Sequence, residues 1–351
     1  MVFVEVEGCD INKEDWMGTG NTPLAWAAGS GHEEVVEMLL GRDDISPDKP
    51  NNTGQTPLCC AAGNGREGVV KILLRRDDVD PEKPSIHNRT PLWSAACYGH
   101  EKVLKVLLRR NDVNPDAPDI NGRTPLWVAA ADGRERVVKI LLGRDDVNPD
   151  LPDKYGRTPL SGAAENGREG TAQILLGRGD VAPDKTDDDG GTPLHHAAQR
   201  GHEGVVEILL SRDDVGHDKR GIYDRTPLWS AAFHGHERVV QALLRRNDVS
   251  PDAPDINGRT PLWGAAERGR ETVVKILLER DDVDPDRPDK CGRTPLSGAA
   301  EDGREGVTQI LLGRDNVNPN KSDNKGITPL GYATMNDHAG VVEILLGRRQ
   351  P

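Results

Sequence analysis

A Thr-Pro-Leu triplet recurs along this chain of 351 residues, and successive threonines are always 34 residues apart. A fixed period of about 20 to 50 residues is typical of repeat architectures, in which one unit cannot bury its own apolar face and is stabilised by its neighbours. The period therefore predicts one elongated domain without a central core, where length alone suggests two or three globular domains. The threonines are Thr22, Thr56, Thr90, Thr124, Thr158, Thr192, Thr226, Thr260, Thr294 and Thr328.

One repeat predicts a pair of helices. Thr124 is a good N-cap and Pro125 suits the first helical position, so a short helix begins there. It ends near Gly133, because glycine readily takes the left-handed conformation found at helix ends. A second helix follows from Val137 to Leu142, and its apolar spacing places a broad stripe on one side.

The end of the second helix is followed by an arginine and then by Asp, Asn or Gly in each copy. These three residue types tolerate positive φ, so we expect a left-handed conformation at that position. Pro149 and Pro152 then keep the connector extended, and Asp153 to Gly156 form a turn. The predicted left-handed residues are Asp43, Asp77, Asn111, Asp145, Gly179, Asp213, Asn247, Asp281 and Asp315.

The pattern Gly-x-Thr-Pro-Leu-x-x-Ala-Ala-x-x-Gly-His/Arg-x-x-Val-Val-x-x-Leu-Leu resembles the ankyrin repeat, and ten in-register copies cover essentially the whole chain. The resemblance implies an all-α solenoid of stacked antiparallel helix pairs with β-hairpin-like loops, and a concave groove formed by loop tips and first helices. Two features depart from the family. The connector reads Asp-Asp-Val-Asn-Pro-Asp, and the family's histidine after Thr-Pro-Leu survives only as His195. This connector resembles long fungal arrays that often follow a NACHT-type nucleotide-binding domain.

The ends of the chain depart from a full repeat. We interpret residues 1–17 as a partial N-terminal repeat or cap and residues 18–351 as the array, because Ile11 precedes Thr22 by the same eleven residues that separate Ile45 from Thr56. Either Val2 to Val6 is the remnant of a preceding second helix, or the chain has been cut from something longer, which we favour. The last repeat is interpreted as a C-terminal cap, with polar residues Asn336, Asp337 and His338.

Charge and cysteine content limit the possible partners. The net charge of −13 disfavours nonspecific binding to nucleic acid or anionic membranes. The five cysteines fit neither a metal site nor a disulfide framework, which predicts a reducing, cytoplasmic or nuclear location. No segment is a signal peptide or membrane span. We expect a monomer that binds no nucleic acid, membrane or small-molecule substrate.

No residue pattern predicts chemistry. His195 and His196 are adjacent, so on a helix they point about 100° apart and do not share a metal ligand face. Cys59 and Cys60 are interpreted as packing residues. Paired aspartates recur in almost every connector and are interpreted as solvated loop residues. We therefore predict no catalytic residue, metal or cofactor, and the chain is not expected to be an enzyme.

Two recurrent side chains each allow two interpretations. The tryptophans three residues after the threonine form either a packed ledge between first helices or partly exposed anchors for a partner. The arginines immediately before the threonine either receive acidic groups of a partner or pair with an Asp of the adjacent turn. The tryptophans are Trp93, Trp127, Trp229 and Trp263, and the arginines are Arg89, Arg123, Arg157, Arg225, Arg259 and Arg293.

The repeats point to recognition of a partner. Residues 111–178 match 247–314 with 12 differences in 68 positions, and several differences fall at loop tips and first-helix ends. We predict a non-catalytic scaffold that binds a polypeptide in its concave groove. The alternative is a sensor array excised from a larger receptor, of the NACHT type, or from an enzyme. The candidate binding residues are Trp93, Tyr98, Arg123, Trp127, Asp132, Tyr155, Arg157, Glu165, Arg200, Tyr223, Trp229, Phe233, His234, Arg259, Trp263 and Arg268.

Overall fold

The computed structural model describes residues 10–15 and 18–347, and in these residues it contains twenty α-helices in ten pairs and no strand. The prediction of an all-α repeat fold is therefore confirmed. The chain forms two compact units, one of Met1–Ala163 with Gly170–Ala182 and the other of Ala164–Glu169 with Pro183–Pro351.

Every repeat contributes a first helix that begins at the proline of the triplet and a second helix that begins ten residues later. The first helices are α1 (Pro23–Ser30), α3 (Pro57–Gly63), α5 (Pro91–Tyr98), α7 (Pro125–Ala131), α9 (Pro159–Glu165), α11 (Pro193–Arg200), α13 (Pro227–His234), α15 (Pro261–Glu267), α17 (Pro295–Glu301) and α19 (Pro329–Met335). The second helices are α2 (Glu33–Leu40), α4 (Glu67–Leu73), α6 (Glu101–Leu107), α8 (Glu135–Leu142), α10 (Glu169–Leu176), α12 (Glu203–Leu210), α14 (Glu237–Leu244), α16 (Glu271–Leu278), α18 (Glu305–Leu312) and α20 (Ala339–Gly347).

The first helices begin as their sequence predicts. In α7 the hydroxyl of Thr124 accepts a hydrogen bond of 3.1 Å from the backbone N–H of Trp127, which satisfies one of the amides left without a helical partner. Pro125 occupies the first helical position, where no N–H is needed. Gly133 has a φ of 73°, so the predicted left-handed turn after the helix is confirmed.

The second helices end differently from the prediction. None of the nine residues after the arginine has a positive φ, so the expected left-handed conformation is wrong at all of them. The arginine itself explains the end of the helix. The Nε and Nη2 atoms of Arg144 bind Asp146 at 2.8 and 2.6 Å, and its Nη1 donates to the carbonyl oxygen of Leu108 in the preceding repeat at 2.7 Å. These contacts of the Arg144 guanidinium close the turn, and Asp145 stays exposed.

The loops before each threonine form narrow hairpin-like turns. The backbone N–H of Asp153 donates to the carbonyl of Arg157 at 2.9 Å, and that of Gly156 donates back to Asp153 at 3.0 Å. The Oδ1 atom of Asp153 accepts from the amides of Tyr155 and Arg157 at 2.9 and 3.0 Å. Neighbouring tips are joined, since the amide of Lys154 donates to the carbonyl of Asn121 at 2.8 Å. The predicted turn is confirmed.

Helices of the same kind stack on each other within each unit. In the first unit α1, α3, α5 and α7 pack in succession, and so do α2, α4, α6 and α8. In the second unit the same holds for α11, α13, α15, α17 and α19 and for α12, α14, α16, α18 and α20. The apolar core lies between the two layers: Leu126, Ala129, Ala130, Val138 and Leu141 are fully buried.

The ends of the array follow the repeat more closely than expected. Ile11 is buried, as the equivalent Ile45 is, whereas Val2 to Val6 lie outside the described residues. Asp337 takes the left-handed place of the glycine, with a φ of 58°. The Nε2 atom of His338 hydrogen-bonds to the carbonyl of Glu301 in the preceding repeat at 2.9 Å. That the last repeat acts as a C-terminal cap stays a prediction.

Candidate functional site

The loop tips and the exposed ends of the first helices form a continuous surface in each unit, which we call the groove face. It consists of the two tip residues that stand three and four positions before each threonine, and of the residues four, seven and eight positions after it. Arg225 shows that the two parts meet in the second unit, because its guanidinium lies 5.2 Å from the ring of Tyr223 at a tip and 5.5 Å from that of Phe233 on a helix.

Three predicted site residues are exposed aromatic side chains on this face. Tyr98 and Tyr155 in the first unit are 57% and 51% exposed, and Tyr223 in the second unit is 57% exposed. Tyr155 is flanked by two cations, since Lys154 and Arg157 lie 5.0 and 5.1 Å from its ring. Such amphipathic rings in a charged setting are the residues that most often dominate protein interfaces.

Isoleucines at the loop tips were missed by sequence reasoning. Ile86, Ile120 and Ile256 are 61%, 56% and 52% exposed, four positions before their threonines. The backbone explains their outward orientation, because the amide of each donates to the tip carbonyl of the preceding repeat at 2.8 to 3.1 Å. The available signal was an apolar residue inside an otherwise polar turn, as in the sequence Asp-Ile-Asn-Gly.

The tryptophans are not exposed anchors. Trp93, Trp127, Trp229 and Trp263 are between 1% and 5% exposed, so the interpretation as a packed ledge is confirmed and the alternative is wrong. The indole Nε1 of Trp93, Trp127 and Trp229 donates to the carbonyl thirty residues later at 2.9 Å. His195 makes the same link to Arg225 at 3.0 Å through Nε2. The tryptophans therefore replace a structural histidine.

The arginines before the threonines are engaged within the protein. The guanidinium groups of Arg123, Arg225 and Arg259 lie 4.4, 3.7 and 3.9 Å from the tryptophan rings four residues later. Arg157 and Arg293 instead bind their turn aspartates at 2.8 and 3.0 Å. The predicted pairing with a turn aspartate is therefore confirmed for Arg157 and Arg293, whereas the other three arginines lie over tryptophan rings. That Arg123, Arg157 and Arg259 also bind a partner stays a prediction.

A small aromatic cluster occupies the groove face of the second unit. The ring of Phe233 stacks on Trp229 with centroids 5.0 Å apart, and the guanidinium of Arg268 covers Phe233 at 4.4 Å. His234 contacts the edge of Phe233 at 5.2 Å. Arg268 is exposed while Phe233 is partly exposed, so this cluster offers a partner both an apolar surface and a cation.

The remaining candidates are charged residues at first-helix ends. Arg200 and Glu165 form an ion pair of 2.9 Å in the second unit, and both side chains reach solvent. Asp132 is exposed in the first unit and accepts from the thiol of Cys97 at 3.6 Å. These side chains vary in sign from repeat to repeat, which suits discrimination between partners.

The repeat around His195 contains a cavity of about 260 Å³. It opens between Gly191, at the place of the usual arginine, and Gly221, at the place of the usual turn aspartate. Asp187 borders it and accepts a hydrogen bond of 2.8 Å from Nε2 of His196. Burial alone would raise the pKa of Asp187, but hydrogen bonds from His196 and backbone amides hold it below the usual value.

His195 forms one wall of this cavity and is buried. Its pKa is lowered to about 4, chiefly because burial penalises the charged imidazolium. The Nδ1 atom lies 3.0 Å from the hydroxyl of Thr192, and Nε2 lies 3.0 Å from the carbonyl of Arg225. The neutral ring donates from Nε2 to that carbonyl, so His195 presents a flat, uncharged surface.

The adjacent cysteines Cys59 and Cys60 lie in α3. Burial raises the pKa of Cys59 to about 11 and that of Cys60 to about 12, which keeps both thiols protonated and unreactive. In the described part of the chain, no three His, Cys, Asp or Glu side chains are grouped as metal ligands. Cys9 lies outside the described residues. Among the helices that the structure describes, none has the length and apolar character needed to cross a membrane.

Comparison with known proteins identifies the repeat. A family model described as "Ankyrin repeats (3 copies)" matches five overlapping segments, residues 2–85, 78–153, 145–220, 211–289 and 265–350. The crystal structure of the human ASB11 ankyrin repeat domain is 28% identical with a TM-score of 0.57, and the match covers 65% of this chain and 99% of that one. No curated protein matches this chain.

Proposed function

The chain belongs to the ankyrin-repeat family, whose repeats are generally protein-interaction modules, and we propose that it is a non-catalytic scaffold that binds a polypeptide partner on its groove face. The partner would lie against the loop tips and the ends of the first helices. The buried tryptophans would hold the repeats in register without touching it.

One observation carries this proposal. Twelve large apolar side chains are strongly exposed in the described residues, and nine of them lie on the groove face. Exposed apolar residues concentrated on the same face of each unit mark interaction sites, whereas single scattered ones need no explanation. The nine are Trp26, Ile86, Tyr98, Ile120, Tyr155, Ile222, Tyr223, Ile256 and Met335, while Val35, Met38 and Leu346 lie on second helices.

The charges next to these side chains support a polypeptide as the partner. Tyr155 lies beside Lys154, and Phe233 lies beneath Arg268. A mixed surface of rings, isoleucines and both signs of charge resembles the anchors and polar rim of a protein interface. The formal charge of −13 does not favour nucleic acid as the partner.

The test compares capture of proteins by two variants of the full chain. The groove-face variant carries alanine at Tyr98, Tyr155, Tyr223 and Phe233, and the control carries alanine at Val35, Met38 and Leu346. We expect the proteins captured by the wild type to be retained by the control and to lose at least roughly tenfold in affinity for the groove-face variant. Equal binding to both variants would remove this face from consideration.

That the array is the recognition part of a larger receptor or enzyme stays a prediction. The groove-face experiment applies to it unchanged, because such an array would use the same surface.

A further inference from the structure

Two glycines set the repeat around His195 apart from its neighbours. Four repeats, those of Thr124, Thr158, Thr260 and Thr294, carry both an arginine before the threonine and an aspartate four residues before that arginine. Gly191 replaces the arginine of this repeat, and Gly221 replaces the aspartate of the next one. The two backbones come close, since a Cβ atom added to Gly221 would lie 3.6 Å from Cα of Gly191.

The neighbouring repeats show what normally fills this space. Nε and Nη2 of Arg157 donate to Oδ2 of Asp153 at 3.1 and 2.8 Å, and its guanidinium lies 5.7 Å from the ring of Trp127. Arg293 repeats the arrangement with Asp289 at 3.0 Å and Trp263 at 5.5 Å. In these two repeats the protein's own guanidinium therefore occupies the position beside the buried turn carboxylate.

The carboxylate is still present where the arginine is missing. The side chain of Asp187 is only 7% exposed. Its Oδ1 accepts from the amides of Asp189 and Gly191 at 3.1 and 2.7 Å, and Oδ2 accepts from His196 alone among the described side chains. Because a carboxylate oxygen accepts two hydrogen bonds, Oδ2 retains the capacity for a further donor from the cavity.

We propose that this cavity, the Asp187 pocket, binds the guanidinium of an arginine side chain presented by a partner polypeptide. The proposal rests on the proposed function, since it assigns one specificity position on the groove face. The guanidinium would donate to Oδ2 of Asp187 and lie against the flat ring of His195, with exposed Asp189 at the rim.

The shape and charges of the pocket favour arginine over other occupants. At about 260 Å³ it suits one side chain better than a larger ligand. Arg225, a cation in its wall, stacks on Trp229 at 3.7 Å, and its charge is partly balanced by Asp255, which lies 3.8 Å from its Nε. A planar guanidinium matches a narrow space beside a ring and a carboxylate better than a lysine ammonium does.

The first test uses blocked single residues as probes of the full chain. N-acetyl-arginine N-methylamide is titrated while the amide resonances of Gly191 and Gly221 are followed by NMR. We expect saturable binding with a dissociation constant on the order of a millimolar. The uncharged isostere citrulline, blocked in the same way, should bind at least roughly tenfold more weakly. Blocked glutamate should not bind.

Two variants have matched precedents elsewhere in the chain. Gly191→Arg restores the residue of the neighbouring repeats and fills the pocket with the protein's own guanidinium. Asp187→Asn removes the charge but keeps the turn, because Asn51 accepts from the amides of Thr53 and Gln55 in the same way. Both variants should fold, as circular dichroism checks, and both should lose at least roughly tenfold in affinity for blocked arginine.

The outcomes separate this proposal from the proposed function. Absence of saturable arginine binding, equal binding of citrulline, preference for glutamate, or unchanged binding by Gly191→Arg would each overturn the Asp187 pocket as an arginine site. Suppose that a partner needs the four groove-face aromatics, Tyr98, Tyr155, Tyr223 and Phe233, but binds the Gly191→Arg variant normally. This result would overturn the Asp187 pocket and would leave the proposed function of the groove face supported. Blocked arginine bound without any groove-face partner would support the pocket alone.

Discussion

The indole Nε1 of Trp127 donates a hydrogen bond of 2.9 Å to the backbone carbonyl of Arg157, thirty residues further along the chain. This bond joins the first helix of one repeat to the loop that starts the next. His195 makes the same connection to Arg225. The indole therefore makes the same hydrogen bond as the imidazole and also buries a larger apolar surface. This is a structural reason for tryptophan at this position in four repeats.

Removing this bond should cost more at Trp127 than at Trp263. The indole N–H of Trp263 is buried without a hydrogen-bond partner. Both variants lose the same buried ring volume, so we expect Trp127→Phe to lower the free energy of unfolding by about 1 kcal/mol more than Trp263→Phe does. Urea unfolding of the full chain measures both. An equal loss in the two variants would show that ring size, and not the hydrogen bond, decides stability here.

The arginine at the end of each second helix should stabilise the stack through a backbone contact. Arg144→Ala removes the bond to the carbonyl of Leu108 as well as the fork to Asp146, and we expect a loss of about 1 kcal/mol in the free energy of unfolding. Asp146→Ala removes only an exposed ion pair and should have a smaller effect that vanishes in high salt. A larger loss in Asp146→Ala would contradict this assignment.

Acid should destabilise the second unit through His195. The pKa of folded His195, about 4, lies below the usual value of 6.5, so the unfolded chain binds the proton first. Stability present above pH 6.5 is therefore lost as the pH falls towards 4, by about 3 kcal/mol in full. His195→Trp, the residue of four other repeats, should remove this part of the pH dependence. If the free energies of unfolding of wild type and variant changed in parallel between pH 7 and pH 4, the prediction would be wrong.

In the first unit, Glu82 should make stability fall as the pH rises, which is opposite to the effect of His195. Burial raises its pKa from 4.5 to about 7, so the folded chain binds the proton more tightly and stability falls as the pH rises through this window. Since the carboxyl group is only half-buried, we expect about 1 kcal/mol. Glu82→Gln keeps an oxygen for the amide of Asn114 and should gain this amount at pH 8 but not at pH 4. Denaturant midpoints at the two pH values provide the measurement.

Local sequence patterns predicted those features that depend on a few neighbouring residues. The cap at Thr124, the glycine turn at Gly133 and the hairpin-like loop from Asp153 to Gly156 all form within one repeat. The wrong prediction, the left-handed residue at Asp145, failed because the arginine before it binds a carbonyl of the preceding repeat. Asp, Asn and Gly can adopt a positive φ, but at this position the backbone keeps a negative φ.

The candidate site was predicted less well because exposure depends on neighbours. Tyr98, Tyr155 and Tyr223 are exposed, whereas tryptophans that looked equally suited to a partner are buried between first helices. The isoleucines at the tips are exposed because tip-to-tip backbone bonds use the inner side of the loop. The Asp187 pocket also went unnoticed, since Gly191 and Gly221 are separated by most of a repeat and meet only on stacking.

The amino-acid sequence alone determined the repeat, its helix pairs and the stacking of equivalent helices, because a 34-residue period with capped, amphipathic segments leaves no other way to bury its apolar stripes. Only the tertiary structure decided which rings and charges remain for a partner. That choice is made by contacts about one period apart, such as Trp127 with Arg157, and these exist only once two repeats are packed together.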